Sequence, residues 1–272
     1  MTEKEYRSHP AISRSELWRI HESPEKFKWF KDHPPATTDA LLFGQYYHAL
    51  VLEPDKAETD FVIMPDFNLR TNAGKADKAS LLADCAERGI TLIDRESAET
   101  ARLMADKCHS DPEVMKLLDG EHEQPFFWTD ELTGEECKCR LDVLTEVDGE
   151  CAIVDLKSTA NASTHKLVRD IYKLGYFMQG AMYGEGVRIN LGLNRLPRFI
   201  LIAQEKKPPF AINRIELPED VIQLGYDRFR EYLGIYHECK ETGLWYGLNG
   251  VTNELNEAYL LEYVKNGDED DA

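Results

Sequence analysis

Two aspartates and a lysine stand close together in the stretch LDVLTEVDGECAIVDLK, residues 141–157. Asp148-Gly149 in its middle is typical of a two-residue hairpin turn, because both turn positions need a positive φ. With this turn at the tip, Asp142 is expected directly opposite Asp155. Lys157 is expected on the same face as Asp155, because side chains alternate along a strand. The pattern therefore predicts two carboxylates and an ammonium group side by side.

Such a cluster suits a divalent cation. Like charges opposite each other destabilise a sheet, and apolar neighbours on the same face raise the cost of unpaired anions. Carboxylates, a backbone carbonyl and water are the ligands that Mg²⁺ prefers. A bound ion lowers the pKa of an attacking water and neutralises charge on a phosphoryl group, and Lys157 could orient that water. The alternative is an ordinary hairpin on which Asp142, Asp155, Arg140 and Lys157 form a surface charge lattice, and both interpretations stay open.

Helices and strands alternate around this hairpin. Ser-capped apolar spacing predicts two short N-terminal helices that are broken at Ser23-Pro24. A helix capped near Asp39 and stopped by Pro54 carries His48. A loop at 65–77 and helices at about 77–88 and 95–118 precede a three-strand meander that contains the hairpin. A helix at 164–185, strands at 198–205 and 210–217, and a helix from Pro218 to near Gly243 complete the chain.

The ordered motifs resemble the PD-(D/E)XK nuclease superfamily, specifically the nuclease domain of the exonuclease VIII (RecE) type from phage and prophage recombination systems. The family's first Asp matches CRLDVL and its D-x-K matches VDLKST. Its other signatures match LLFGQYYHALVLEP, QGAMY, the S-x-S-x-L and SP pattern at 13–24, and EKKPPF. The corresponding site residues are His48, Asp142, Asp155, Lys157, Gln179 and Tyr183.

The resemblance implies an α/β fold, in which helices flank a mixed central β-sheet in a restriction-endonuclease-like core with extra N-terminal helices. It implies that Mg²⁺ or Mn²⁺ is held by His48, Asp142, Asp155 and the carbonyl of Leu156. Lys157 would stand beside the attacking water. Gln179 and Tyr183 would face DNA and complete the catalytic set.

The function implied by the resemblance is a Mg²⁺-dependent exonuclease that degrades linear duplex DNA from 5′ ends in phage or prophage recombination. Its partners would be double-stranded DNA ends, a single-strand annealing protein and further copies of the chain in a ring. The same site would also serve an endonuclease. A non-catalytic DNA-binding or assembly protein that keeps the fold is the alternative from another class.

Several supporting residues have a structural interpretation as well as a functional one. A lone His48 in an apolar helix is usually a core residue, and only the signature match favours a metal site. Gln179 and Tyr183 share one helical face and could serve the core. Glu123 could supply a third carboxylate to the metal site, or it could be a solvated residue at the end of a strand. Arg70, Lys75 and Lys78 suit phosphate contacts or a solvated loop, and the cluster at 27–31 favours packing over base stacking.

Composition indicates a globular protein and excludes the class of proteins that coat nucleic acid with a basic surface. The 272 residues are 42% hydrophobic and carry a formal charge of −18. A cleft with acidic metal ligands remains compatible with this charge, because salt screens distant charges within about 8 Å. We expect one nuclease domain over residues 1–264 and a disordered acidic tail over 265–272.

The six cysteines and the termini favour a cytoplasmic protein with free thiols. No signal peptide or membrane span is indicated by the sequence. Cys137-x-Cys139 has neither the second pair nor the histidine that a zinc site needs, so half-buried thiols are the preferred interpretation.

Overall fold

The computed structural model describes residue 1 and residues 3–248 of the chain. The strands are β1 (Ile12–Ser13), β2 (Phe61–Ile63), β3 (Thr91–Ile93), β4 (Glu121–Thr129), β5 (Glu136–Val147), β6 (Glu150–Thr159), β7 (Arg198–Glu205) and β8 (Ile212–Glu216). The helices are α1 (Glu3–Ser8), α2 (Arg14–Leu17), α3 (Pro24–Asp32), α4 (Asp39–Leu52), α5 (Pro54–Thr59), α6 (Asn72–Arg88), α7 (Arg95–His109), α8 (Pro112–Leu118), α9 (Thr164–Lys173), α10 (Tyr176–Leu191) and α11 (Glu219–Thr242).

One mixed sheet organises the described part of the chain. β4, β5 and β6 form the predicted antiparallel meander, β7 runs parallel to β6, and β8 pairs antiparallel with β7. The two-residue strand β1 lies parallel to the start of β5. Helices cover both faces, so the predicted α/β fold with a mixed central sheet is confirmed. β2 and β3 form a separate parallel pair, which the sequence analysis missed because each has three residues.

The sheet forks where the two aspartates lie. Pairing of β5 with β6 runs from Val147–Glu150 to Val143–Val154, and the φ angles of Asp148 (+55°) and Gly149 (+80°) confirm the predicted turn. Beyond Val154, β6 continues beside β7, whereas β5 continues beside β4 and β1. The hairpin ladder therefore ends one residue pair before Asp142 and Asp155, which the sequence analysis expected directly opposite each other. The carboxylates lie just past the last pair, at the mouth of the fork.

Side-chain alternation along β5 changes at the same point. Val143 and Val154 belong to the apolar cluster under α4 and α7, and Ile153 belongs to the cluster under α10 and α11. Leu141, two residues before Val143, joins the cluster of Ile153 instead. The shift of face coincides with the missing ladder pair between Asp142 and Glu123 of β4, since regular alternation would keep residues two apart on one face.

Two long helices predicted from the sequence are each divided in two. The helix at 95–118 breaks at Asp111, whose carboxylate caps α8 by accepting the N–H groups of Glu113 and Val114. The helix at 164–185 breaks at Gly175, which adopts φ +68° against the ring of Trp18. The predicted loop at 65–77 is shorter, because Thr71 caps α6 through its hydroxyl and Lys75 and Lys78 lie in that helix.

The acidic segment 265–272 lies outside the described residues, and the single-domain boundary at 264 stays a prediction. No described helix combines the length and apolar character needed to cross a bilayer.

Candidate metal centre

Asp142 connects the two sides of the fork. Its Oδ2 accepts the backbone N–H of Leu156 at 2.7 Å and lies 3.6 Å from Nδ1 of His48 on α4. Burial raises the pKa of Asp142, but His48, Lys157 and the Leu156 N–H outweigh it and hold the pKa at about 2. The carboxylate is therefore ionised at neutral pH, as a metal ligand must be.

Glu123 completes a three-residue cluster that the sequence left open. Ligand atoms of His48, Glu123 and Asp142 all lie within 4.8 Å of one another. Glu123 has φ +52°, a left-handed conformation that is unusual for a residue other than glycine. The β4–β5 ladder pairs the residues on either side and skips Glu123 opposite Asp142. Strained backbone of this kind concentrates at functional sites.

The electrostatics of this cluster favour a cation. Burial, followed by the charge of Asp142, raises the pKa of Glu123 to about 8. Arg140 Nε lies 2.8 Å from the Glu123 carboxylate, and this ion pair does not offset burial and repulsion. Burial alone would lower the pKa of His48. The effect of Asp142 is opposite and larger, so the pKa of His48 is raised overall. A metal ion bound between these two carboxylates would favour their charged forms, because it would offset their mutual repulsion.

Asp155 lies on the other arm of the fork and has different partners. It is 1% exposed, and its Oδ1 accepts a hydrogen bond of 2.5 Å from Nε2 of Gln179 on α10. Nζ of Lys157 lies 2.5 Å from Oδ2 as an ion pair, and this oxygen accepts no well-aligned hydrogen bond from the described residues. Burial raises the pKa of Asp155, and the Asp142 charge adds to this against the opposing effect of Lys157. Asp155 is thus a buried carboxylate that is held by Gln179 through Oδ1 and by Lys157 through Oδ2.

Aromatic and basic side chains surround Lys157. Its Nζ lies 5.0 Å from the ring centroid of Tyr176, and the guanidinium of Arg14 lies 5.8 Å from the same ring. Neither Arg14 nor Tyr176 was singled out by sequence reasoning as a site residue. Arg14 stands inside the S-x-S-x-L pattern, but nothing in the sequence indicates that α2 reaches α10. Tyr183, one turn after Gln179, packs against the cluster under α10 and α11, and burial raises its pKa.

Comparison with known families assigns the fold. A model of a PDDEXK-like domain of unknown function, DUF3799, matches residues 13–254. The chain belongs to this family. The predicted relation to the PD-(D/E)XK superfamily is thereby confirmed, and the match spans α2, α3, the fork and α11 of this PDDEXK-like domain.

A solved structure shares this fold. The chain is similar to the crystal structure of a protein from Eubacterium rectale named "putative exonuclease", with 20% identity, a TM-score of 0.65, and coverage of 96% of this chain and 97% of that chain. This likeness concerns the fold. Another structure, SSO0001, has 14% identity and a TM-score of 0.27 over 50% of this chain and 69% of that chain, and it carries no argument. No curated protein matches the chain.

The donor set of this PDDEXK-like domain fits a hard divalent cation. Carboxylate oxygens of Asp142 and Glu123 and an imidazole nitrogen of His48 form this cluster, and Asp155, paired with Lys157 on the other arm of the fork, lies outside it. Oxygen ligands with room for water are typical of Mg²⁺ and Mn²⁺, whereas thiolates, which favour zinc, are absent from this cluster. The described cysteines are free thiols, and Cys137 and Cys139 are both buried in the core.

Proposed function

We propose that the chain is a Mg²⁺- or Mn²⁺-dependent deoxyribonuclease, and specifically an exonuclease that acts on the ends of linear duplex DNA. The observation that carries the proposal is the fork, which gathers buried carboxylates, an imidazole and an ammonium group at one mouth. Membership of a PDDEXK-like family and the likeness to a protein named an exonuclease support it.

In this proposal His48, Asp142, Asp155 and the carbonyl of Leu156 hold the ion, and Glu123 joins them as a third carboxylate. The metal supplies Lewis-acid activation of the scissile phosphate and of its attacking water. Asp142 stays ionised because His48 and the Leu156 N–H favour its charged form. Its hydrogen bond to Leu156 fixes the backbone between Asp155 and Lys157.

Lys157 stabilises charge near the reacting phosphate. Asp155 and Asp142 raise its pKa despite burial, so the ammonium form persists at neutral pH. A preorganised cation of this kind is effective because it is already oriented when charge develops. Gln179 orients Asp155 through its amide, and Tyr183 supports the same side of the site one helical turn away.

Linear and closed-circular duplex DNA distinguish the candidate activities. Purified protein is incubated with both substrates in Mg²⁺, Mn²⁺ or EDTA. We expect metal-dependent loss of linear DNA alone. Cutting of circles would favour the endonuclease, and no loss of either substrate would favour a non-catalytic DNA-binding or assembly protein.

The finer proposal is degradation in the 5′ to 3′ direction, in phage or prophage recombination. Duplexes labelled at either the 5′ or the 3′ end test polarity, and we expect early release of the 5′ label with persistence of the 3′-terminated strand. A single-strand annealing protein would then receive that strand. The proposed homo-oligomeric ring is tested by the native mass of the protein in solution, for which a monomer would be the contrary result.

A further inference from the structure

Arg14 lies beside the metal centre and has more hydrogen-bond donors than acceptors around it. A guanidinium carries five N–H donors. Its Nη2 donates to the backbone carbonyl of Leu174, at the end of α9. Its Nε is buried and finds no acceptor in the described part of the chain. A buried donor without a partner costs stability, so this side chain has capacity for a further acceptor.

The positive charge of Arg14 also lacks a carboxylate partner among the described residues. Arg188 and Arg230, in contrast, each form an ion pair with an acid. Burial lowers the pKa of Arg14, and the residues that oppose this effect, Tyr183, Tyr176 and Asp155, belong to the surroundings of the metal centre. The side chain is half-buried, so solvent reaches part of it. A charged group in this setting favours an anionic ligand.

The ring of Tyr176 connects Arg14 with the metal centre. The guanidinium of Arg14 lies 5.8 Å from the ring centroid, and Nζ of Lys157 lies 5.0 Å from the same centroid. The two cations are therefore no more than about 11 Å apart, and one DNA strand carries a phosphate for about every 3.4 Å of helix axis. A strand with one phosphate beside Lys157 can thus place a neighbouring phosphate at Arg14.

The position of Arg14 is fixed by the packing of α2. Leu17, on the same helix, is fully buried, and the Ser13 hydroxyl caps the helix. Trp18 packs against Gly175, directly after the carbonyl that Arg14 binds. The guanidinium is therefore held in place before any ligand arrives, which reduces the entropy that binding would cost.

A purely structural role is the alternative. A cation near the last carbonyls of a helix is favourable, and Arg14 has this position relative to α9. That role uses the donor to Leu174 and leaves Nε without a partner. It also requires no proximity to Lys157. A second contact of the same guanidinium accounts for both features.

We propose that Arg14 is a substrate-binding residue, whose guanidinium holds a DNA backbone phosphate next to the phosphate at the metal centre. This inference rests on the proposed nuclease function and deepens it by naming a contact to the substrate outside the metal ligands.

Binding of a labelled linear duplex in EDTA, measured by fluorescence anisotropy over a series of salt concentrations, tests Arg14 without cleavage. Arg14→Gln should weaken binding about 10- to 100-fold, as for loss of a hydrogen bond to a charged group, and should reduce the salt slope by about 1. Arg195→Gln removes the same charge from a side chain that pairs with Glu150, beside the hairpin turn. This control should keep the affinity and the slope of the wild type.

Substitution of single phosphates identifies the contact. An uncharged methylphosphonate is moved one phosphate at a time along each strand near the duplex end. At one position it should weaken binding by the wild type and cause little further loss in Arg14→Gln, because both changes remove the same interaction. Additive losses at every position, or no binding of DNA by the wild type, would overturn the proposal.

Nuclear magnetic resonance of the wild-type protein gives a readout that does not depend on the folding of a variant. The Nε–H resonance of Arg14 should shift when DNA is added. An unchanged resonance at saturating DNA would overturn the proposal. An Arg14→Gln protein with a lowered melting temperature but wild-type affinity and salt slope would also overturn it, and would assign Arg14 to the end of α9 alone.

The two proposals can fail separately. Binding that depends on Arg14, without metal-dependent degradation, would refute the nuclease function and retain the phosphate contact. Metal-dependent degradation with unaltered binding in Arg14→Gln would refute the phosphate contact alone.

Discussion

Each residue at the mouth of the fork has a distinct electrostatic role. Asp142 is kept ionised by His48 and a backbone N–H, whereas burial and repulsion raise the pKa of Glu123. Asp155 is fixed by Gln179 and paired with Lys157. Neighbouring carboxyl groups whose environments give them very different pKa values are typical of sites that exchange a proton or a metal ion.

Charge removal at the fork should abolish activity and leave the fold intact. Asp142→Asn and Lys157→Gln should each lower the rate of metal-dependent DNA degradation by a factor on the order of 100 or more, since each removes preorganised stabilisation of the transition state. Asp148→Asn makes the same chemical change at the exposed tip of the same hairpin and should keep wild-type activity. The rate of degradation of a labelled linear duplex measures the effect of each variant, and the melting temperature of each variant checks that it is folded. Full activity in either site variant would exclude that residue from the mechanism.

Glu123 should contribute to metal affinity. Glu123→Gln should weaken Mn²⁺ binding about 10- to 100-fold, the usual range for a lost supporting group. Glu121→Gln, two residues earlier on β4 and exposed, is the control and should bind as the wild type does. Calorimetric titration of Mn²⁺ into each protein measures the effect. Equal affinities in all three would assign Glu123 to a structural ion pair with Arg140.

Part of this site could be predicted from sequence for a physical reason. The Asp148-Gly149 turn fixes the hairpin register, and the register brings Asp142 near Asp155 and Lys157. The role of Glu123 could not be assigned from the sequence. Its position depends on a left-handed backbone conformation, and no neighbouring glycine in the sequence indicates one. Arg14 was missed because its contact with Tyr176 joins residues far apart in sequence.

At the scale of elements, the fork arises because pairing between β5 and β6 ends at Val143–Val154. Each strand stays paired on its far side, β5 with β4 before and after Asp142 and β6 with β7, so the two can separate at Asp142 while remaining within the sheet. Sequence patterns indicated these strands but not their separation, because strand partners are set by tertiary packing. The breaks at Asp111 and Gly175 were missed for a related reason: helical periodicity continues across each of them.

Gly175 should be a sensitive junction between α9 and α10. A Cβ there would lie 2.6 Å from a ring carbon of Trp18, and the residue has φ +68°. Gly175→Ala should lower the free energy of unfolding by the left-handed penalty of about 1–2 kcal/mol plus about 1–3 kcal/mol for overpacking. Gly192 has φ +65° and no atom near the position of the new methyl group. Gly192→Ala should therefore lose only the stability that corresponds to the left-handed penalty. Urea denaturation measures both, and equal losses would contradict the packing argument.

The connection between β4 and α11 should give the fold a specific acid sensitivity. Burial raises the pKa of Asp130, but Arg230 and Thr133 outweigh it and lower the pKa overall. A lowered carboxyl pKa stabilises the fold above the unfolded value of about 3.9, and this stabilisation disappears as pH falls through the folded value. Asp130→Asn should therefore cost about 1–3 kcal/mol at pH 7.

The cost of Asp130→Asn should shrink below about pH 4, as the wild-type carboxylate becomes protonated. Unfolding free energies of wild type and variant between pH 3 and pH 8 test this. A cost that is the same at both ends of that range would contradict the assigned role of the Asp130–Arg230 ion pair.

At the scale of the whole molecule, the sheet separates two apolar clusters and exposes the fork between them. The cluster under α4 and α7 carries His48 towards the site, and the cluster under α10 and α11 carries Gln179. Helices α2 and α3 pack on the second cluster, and α2 brings the guanidinium of Arg14 to 5.8 Å from the ring of Tyr176 beside the site. The metal centre thus depends on segments from both ends of the matched family domain.

Anomalous diffraction from crystals soaked in Mn²⁺ is the most direct test of this architecture. We expect a peak at the mouth of the fork, within about 2.6 Å of carboxylate oxygens from both Asp142 and Asp155. The peak should be absent in crystals of Asp142→Asn. A well-occupied Mn²⁺ elsewhere on the chain, with no peak between these two aspartates, would contradict the account.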